Sequence, residues 1–143
     1  MKIAIHQSGD VAQPSVLAEK FIHFIRTGED LPGLFDQDVF LDFTPPHWRL
    51  QSLGRDDAVR VRHEGHPWPS EVPHWRSAPI PNGFVIEWEE VWRNDGQLWY
   101  CREMAWCQTG PGGIVSLAVY CTGDWDEKLV AAHALAGCML QPL

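Results

Sequence analysis

Apolar residues recur along this chain with two periods, one helical and one of strands. In PSVLAEKFIHFIRT (14–27), Leu17, Phe21, Phe24 and Ile25 share one helical face. Pro14 suits a first turn and Gly28 a C-cap. A short helical piece is expected after Asp30, then a strand, FLDFTPP (40–46), stopped by two prolines. RDDAVRVRHEG (55–65) predicts a helix ending at Gly65. VPHWRSAPIPN (72–82) reads as an irregular edge strand, where proline is tolerated. Alternation then takes over in GFVIEWEEVWR (83–93), LWYCREMAWC (98–107) and GIVSLAVYC (113–121), joined at Asp95-Gly96 and GPGG. Asp124 and Glu127 form a capping pattern before a last helix over about 125–136. The predicted class is α+β, with helices on one side of an antiparallel sheet. A single domain is expected over 1–143, with its core at about 14–136.

The first hairpin asks which side is the inside. A two-residue turn at Asp95-Gly96 sets Asn94 opposite Gln97, Glu89 opposite Arg102, Val91 opposite Tyr100 and Glu87 opposite Met104 on one face. The other face pairs Trp88 with Glu103, Glu90 with Cys101 and Trp92 with Trp99. If the next turn is Pro111-Gly112, Val115, Leu117, Val119 and Cys121 join the Glu89/Arg102 face, while Ser116, Ala118, Tyr120 and Thr122 join the tryptophans. The first set is the more apolar and is assigned to the core, with Val85, Val91, Tyr100, Met104, Trp106, Leu117 and Val119 around Glu87, Glu89 and Arg102. A slip of one residue in either turn would swap faces.

Composition changes this picture little. Apolar residues make up 45% and charged residues 21%, ordinary for a globular chain. The net charge of −8 and the scattered basic residues disfavour nucleic acid and anionic membranes as partners. No apolar run reaches a membrane span, and MKIAIHQSGD is too weakly apolar for a signal peptide, so a cytoplasmic protein is expected. Cys101, Cys107, Cys121 and Cys138 show no CxxC and no metal-finger spacing, which favours reduced, buried thiols.

LFDQDVFLDFTPP, the GRDDAV helix start and the ending GGIVSLAVYCTGDWDE carry a resemblance. The layout resembles the nuclear-transport-factor-2-like superfamily, and within it the SnoaL-like group. That resemblance implies a cone: a curved antiparallel sheet with helices packed on its concave face, a deep pocket between them, and a homodimer. It also implies a range of roles, from cyclases, dehydratases, isomerases and epoxide hydrolases to plain binding domains. The epoxide hydrolase set of an Arg-x-Asp and an Asp on the last strand meets Glu87, Glu89 and Val119 here, so that chemistry is not carried over. SnoaL-like cyclases resemble a pattern with an acid on the last strand, and Val119 departs from that too.

The candidate catalytic set is therefore Glu89, Arg102 and Glu87, with Asp42 of FLDF. Crowded carboxylates in an apolar pocket push one proton affinity up toward acid–base use. A cross-strand ion pair closing the cavity floor is the alternative reading, and a turn-capping aspartate is the alternative for Asp42. Tyr100, Trp106, Phe40, Trp48, His74 and Val119 are the candidate substrate contacts. Trp48, Trp68 and Trp75 either roof the pocket or pack proline-rich loops. His63 and His66 of HEGH are spaced three apart and read better as solvated loop histidines than as metal ligands. No metal or organic cofactor is expected. The expected partners are a small hydrophobic molecule and a second copy of the chain, docked on the face with Trp88, Trp92, Trp99 and Tyr120. Two functions stay open: a cofactor-independent acid–base enzyme of cyclase, dehydratase or isomerase type, and a non-catalytic binding or dimerisation module.

Overall fold

The computed structural model describes residues 12–67 and 69–141. The expectations for the start of the chain and for Trp68 therefore lie outside the described residues.

Helix α1 (Pro14–Thr27) begins with proline at its first turn and ends at Gly28, in the left-handed region at φ 76°. Its apolar face is wider than the sequence period predicts, because Ala18 and Ile22 are buried beside Leu17, Phe21, Phe24 and Ile25. The segment after Asp30 is a turn rather than a helix, closed by a hydrogen bond from Leu34 N–H to the Leu31 carbonyl. Strand β1 (Phe35–Thr44) starts five residues before the expected strand and pairs with a short β2 (Leu50–Leu53). Helix α2 (Arg55–Gly65) follows. Strands β3 (Ser70–Glu71), β4 (Trp75–Ile80), β5 (Gly83–Asn94), β6 (Gln97–Gly110) and β7 (Gly113–Cys121) come next. A two-residue β8 (Trp125–Asp126) precedes α3 (Glu127–Ala136). The cap of α3 is Asp126, which accepts from Leu129 N–H, not Asp124.

The sheet order is β2-β1-β7-β6-β5-β3, with β4 also on β5 and β8 on β6. It is antiparallel except where β1 runs parallel to β7, so the sheet is mixed rather than purely antiparallel. It does not close on itself. The helices α1 and α2 cover one face, and Phe21 meets Trp88 edge-on with ring centres 5.2 Å apart.

The β5–β6 register is the expected one along its whole length, from Asn94 opposite Gln97 to Gly83 opposite Gln108. The face assignment is not. Beside the turn, Gly110 faces Gly113 and Thr109 faces Ile114, as a Pro111-Gly112 turn requires. Gln108 then faces Ser116, which leaves Val115 as the extra residue of a bulge. Beyond it, Cys107 faces Leu117, Ala105 faces Val119 and Glu103 faces Cys121. Leu117 and Val119 therefore share a face with Trp88 and Trp92, and that face is the core. One residue of slip exchanges the two sides of a strand.

Candidate functional site

Helix α2 ends at Gly65, and His66 caps it in an extended conformation, its N–H bonded to the Arg62 carbonyl at 3.0 Å. Arg62 and His66 both point into the protein. The acid they meet is Glu90 on β5, fully buried at 0% exposure. Its Oε1 accepts from the Arg62 guanidinium and from Ser70 Oγ at 2.7 Å. Its Oε2 lies 3.3 Å from His66 Nδ1 and 3.5 Å from the Trp88 indole N–H. The other imidazole nitrogen, Nε2, lies 3.0 Å from Asp124 Oδ1, and the ring stacks on Trp92 at 4.0 Å.

This constellation sorts charge. Burial opposes ionisation of His66, but hydrogen bonds to Asp124 and Glu90 outweigh it and raise its pKa to about 10. Burial likewise opposes the Glu90 carboxylate, and His66 and Arg62 outweigh it, bringing Glu90 down to about 2. Glu103, next along the same face of β6, is treated differently. Burial first, then the neighbouring Glu90 charge, raises its pKa well above the usual carboxylate range. No hydrogen bond to the Glu103 carboxyl is made among the described residues. The site thus drives its two carboxyls in opposite directions, Glu90 toward the carboxylate and Glu103 toward the neutral acid, an arrangement suited to acid–base work. Below them, the Cys101 and Cys121 sulfurs lie within 4.8 Å of one another, and their interaction draws Cys121 down to about 7 and pushes Cys101 up.

Glu103, His66 and Arg62 form the polar end of a cavity between α1, α2 and the sheet. Its apolar walls include Phe21, Phe24, Phe43, Trp88, Leu117 and Val119. The space is about 570 Å³ counting its open mouth, and the part that admits water-sized molecules is about 70 Å³.

Most of the sequence-predicted site lies elsewhere. Glu87, Glu89 and Arg102 stand on the outer face of the sheet, with Met104 and Trp106. Glu89 faces Arg102 across the ladder, but the two side chains form no ion pair. It accepts from Tyr100 Oη at 2.7 Å and lies 2.8 Å from His74 Nδ1, while Glu87 holds Arg76. Burial first, then Glu89, raises the Tyr100 pKa. His74, Arg76 and Glu87 border a second cleft of about 290 Å³. It is wider than the first by the same measure, but it holds none of the buried ionisable network. Asp42 is clamped by Arg49, through bonds of 2.8 and 2.5 Å, and lies outside the cavity. Phe40 points outward and Trp48 is 70% exposed. Val119 is the one predicted contact that lines the cavity.

The expected partner face is also corrected. Trp88 and Trp92 are buried within the protein, and Trp99 is half-buried. Tyr120 stands on the opposite side, exposed beside Met104 and Trp106. His66, read as a solvated loop residue, is buried. Arg62, Glu90, Glu103 and Asp124 were missed as site residues. Glu90 between Trp88 and Trp92, at the period of one strand face, was a visible signal, but its meaning depended on which face was inside.

No protein-family model matches the sequence, and no curated protein does. The fold has clear counterparts among solved structures. A nuclear-transport-factor-2-like protein from Anabaena variabilis superposes with a TM-score of 0.63 at 15% identity, covering 87% of this chain and 97% of its own. A phenazine biosynthesis-related protein from Pseudomonas aeruginosa gives 0.51 at 15% identity, covering 98% and 94%. A protein from a de novo design study of diverse pocket structures gives 0.53 at 16% identity, covering 75% and 96%. The chain has the nuclear-transport-factor-2-like fold.

Proposed function

We propose that this chain binds a small hydrophobic molecule in the cavity between α1, α2 and the sheet, and acts on it by general acid–base catalysis through Glu103. The observation that carries this reading is the Glu103 carboxyl, set in the wall of an apolar cavity with no hydrogen-bond partner among the described residues. A polar group buried that way costs stability unless something else uses it. The fixed network of Arg62, Glu90 and His66 beside it supplies an oriented field at the point where charge would develop. Proton transfer of the isomerase, dehydratase or cyclase type, as in the SnoaL-like group, fits one unpaired acid facing apolar walls. The narrow interior favours a single-ring or similarly slender substrate over a polycyclic one.

Two arms of one experiment test this. A panel of hydrophobic single-ring ketones is screened for binding by isothermal titration, and the binders are incubated in D2O while exchange of protons next to the carbonyl is followed by NMR. The wild type is expected to bind and to catalyse exchange. Glu103→Gln is expected to bind within a few-fold of wild type and to lose at least about 100-fold of the exchange rate, the usual contribution of a positioned acid or base. Binding without exchange in both proteins would leave a ligand-binding module and remove the catalytic reading.

The same reading expects a second copy as partner on the outer face. Met104, Trp106 and Tyr120 are exposed side by side on β6 and β7, with Trp106 at 53%. Clustered exposed aromatics of this kind favour burial against a partner.

A further inference from the structure

We infer that His66, Cys101, Cys121 and Asp124 form a binding site for one thiophilic divalent cation of the Zn2+ type. One ligand atom from each residue lies within 4.8 Å of all the others. Around a tetrahedral Zn2+ the ligand atoms stand roughly 3.3–3.8 Å apart, given bonds of about 2.0–2.3 Å. The proposal requires small side-chain rotations that draw the four ligand atoms to that spacing. Two sulfurs, one imidazole nitrogen and one carboxylate oxygen are a donor set for zinc and unsuited to magnesium or calcium, which take oxygen alone.

The surroundings are built as such a site requires. A metal-bound histidine usually donates its second ring N–H to a carboxylate, which fixes the ring. His66 offers Nε2 to the Asp124 side, and its Nδ1 lies 3.3 Å from Glu90. Glu90 is itself held by Arg62 and Ser70, and Trp92 stacks on the ring. Cys121 already accepts an N–H bond from Gly123 at 3.4 Å, the kind of contact that supports a thiolate. Cys101 and Cys121 come together because β6 and β7 pair Glu103 with Cys121, which leaves Cys101 two residues away on the same face. Asp124, whose side chain is 41% exposed, gives the cation a way in. Binding displaces the thiol protons and the Nε2 proton to solvent, and four metal–ligand bonds replace the His66–Asp124 and thiol–thiol contacts. The sequence spacing hides this set, since the four residues come from the end of α2, from β6, from β7 and from the loop after it. The inference does not rest on the acid–base reading of Glu103.

Co2+ is the probe. The reduced full chain, freed of metal by chelator, is titrated with Co2+ under inert gas and then with Zn2+. The expected result is one equivalent of Co2+ per chain, with tetrahedral visible bands and a sulfur-to-cobalt charge-transfer band, both abolished by Zn2+. Zn2+ at 100 times its Kd should raise Tm by about 5–10 °C. Asp124→Ala, at a part-exposed position, should weaken binding at least tenfold. Cys121→Ser should remove most of the charge-transfer intensity, and Cys138→Ser should change neither readout. Absence of sulfur bands in the reduced wild type overturns the site. So does a charge-transfer band that survives Cys101→Ser and Cys121→Ser together, or that Cys138→Ser abolishes.

Discussion

Arg62 on α2 and Glu90 on β5 form an ion pair inside the protein, with the carboxylate wholly buried and the guanidinium nearly so. The pair ties the end of α2 to the middle of the sheet. It also holds the ring of His66 between Glu90 and Asp124. The polar end of the cavity depends on it.

Removing one partner leaves the other charge buried. Arg62→Ala is expected to cost about 3–5 kcal/mol, read from the urea midpoint at constant m. The double replacement Arg62→Met with Glu90→Leu should recover most of that loss, because neither charge is then stranded. A double variant no more stable than Arg62→Ala would show that the network contributes more than paired charge.

The two faces of the hairpin make opposite demands. Trp92→Asp puts a carboxylate against His66 inside the core, and should lower stability by at least about 3 kcal/mol. Trp106→Asp falls on the outer face and should leave the fold intact, while halving the mass seen by light scattering if that face carries the dimer. An unchanged dimer mass for Trp106→Asp would place the contact elsewhere.

Val119 faces the cavity beside Leu117 and Glu103. Val119→Phe should fill the narrow interior and weaken binding of any cavity ligand at least tenfold, at a cost of about 1–3 kcal/mol from overpacking. The check is isothermal titration with a ligand from the ketone panel, with Val115→Phe, outside the cavity, as the comparison.

Asp42 gives a pH dependence of clear sign. The Arg49 guanidinium, by hydrogen bonding first, holds the Asp42 carboxyl below its ordinary value of 3.8. A carboxyl depressed by folding adds stability that is present above its unfolded pKa and is lost as pH falls through the folded one. Carbon-detected NMR should show Asp42 titrating below 3.8, and Arg49→Ala should move it upward. Titration at or above 3.8 in the wild type would mean that the Arg49 clamp does not form in solution.

The sequence by itself determined much of the local structure. Apolar period and end signals placed α1 and α2, because Pro14, Gly28 and Gly65 act on their own neighbours. The Asp95-Gly96 turn set every pair of the β5–β6 ladder, because a two-residue turn leaves no freedom of register. What lay beyond local signals was the bulge at Val115, the parallel pairing of β1 with β7, and so the choice of inner face. A bulge is a compromise among the strands on both sides, and composition alone favoured the wrong side by a few apolar residues. That single displaced residue set Leu117 and Val119 on the face of Glu90 and Glu103, the inner one, and left Glu87, Glu89 and Arg102 on the outer face. The gathering of Arg62, His66, Cys101, Cys121 and Asp124 was likewise decided only in three dimensions. Their partners are set by helix-to-sheet packing across long sequence distances, which no spacing along the chain records.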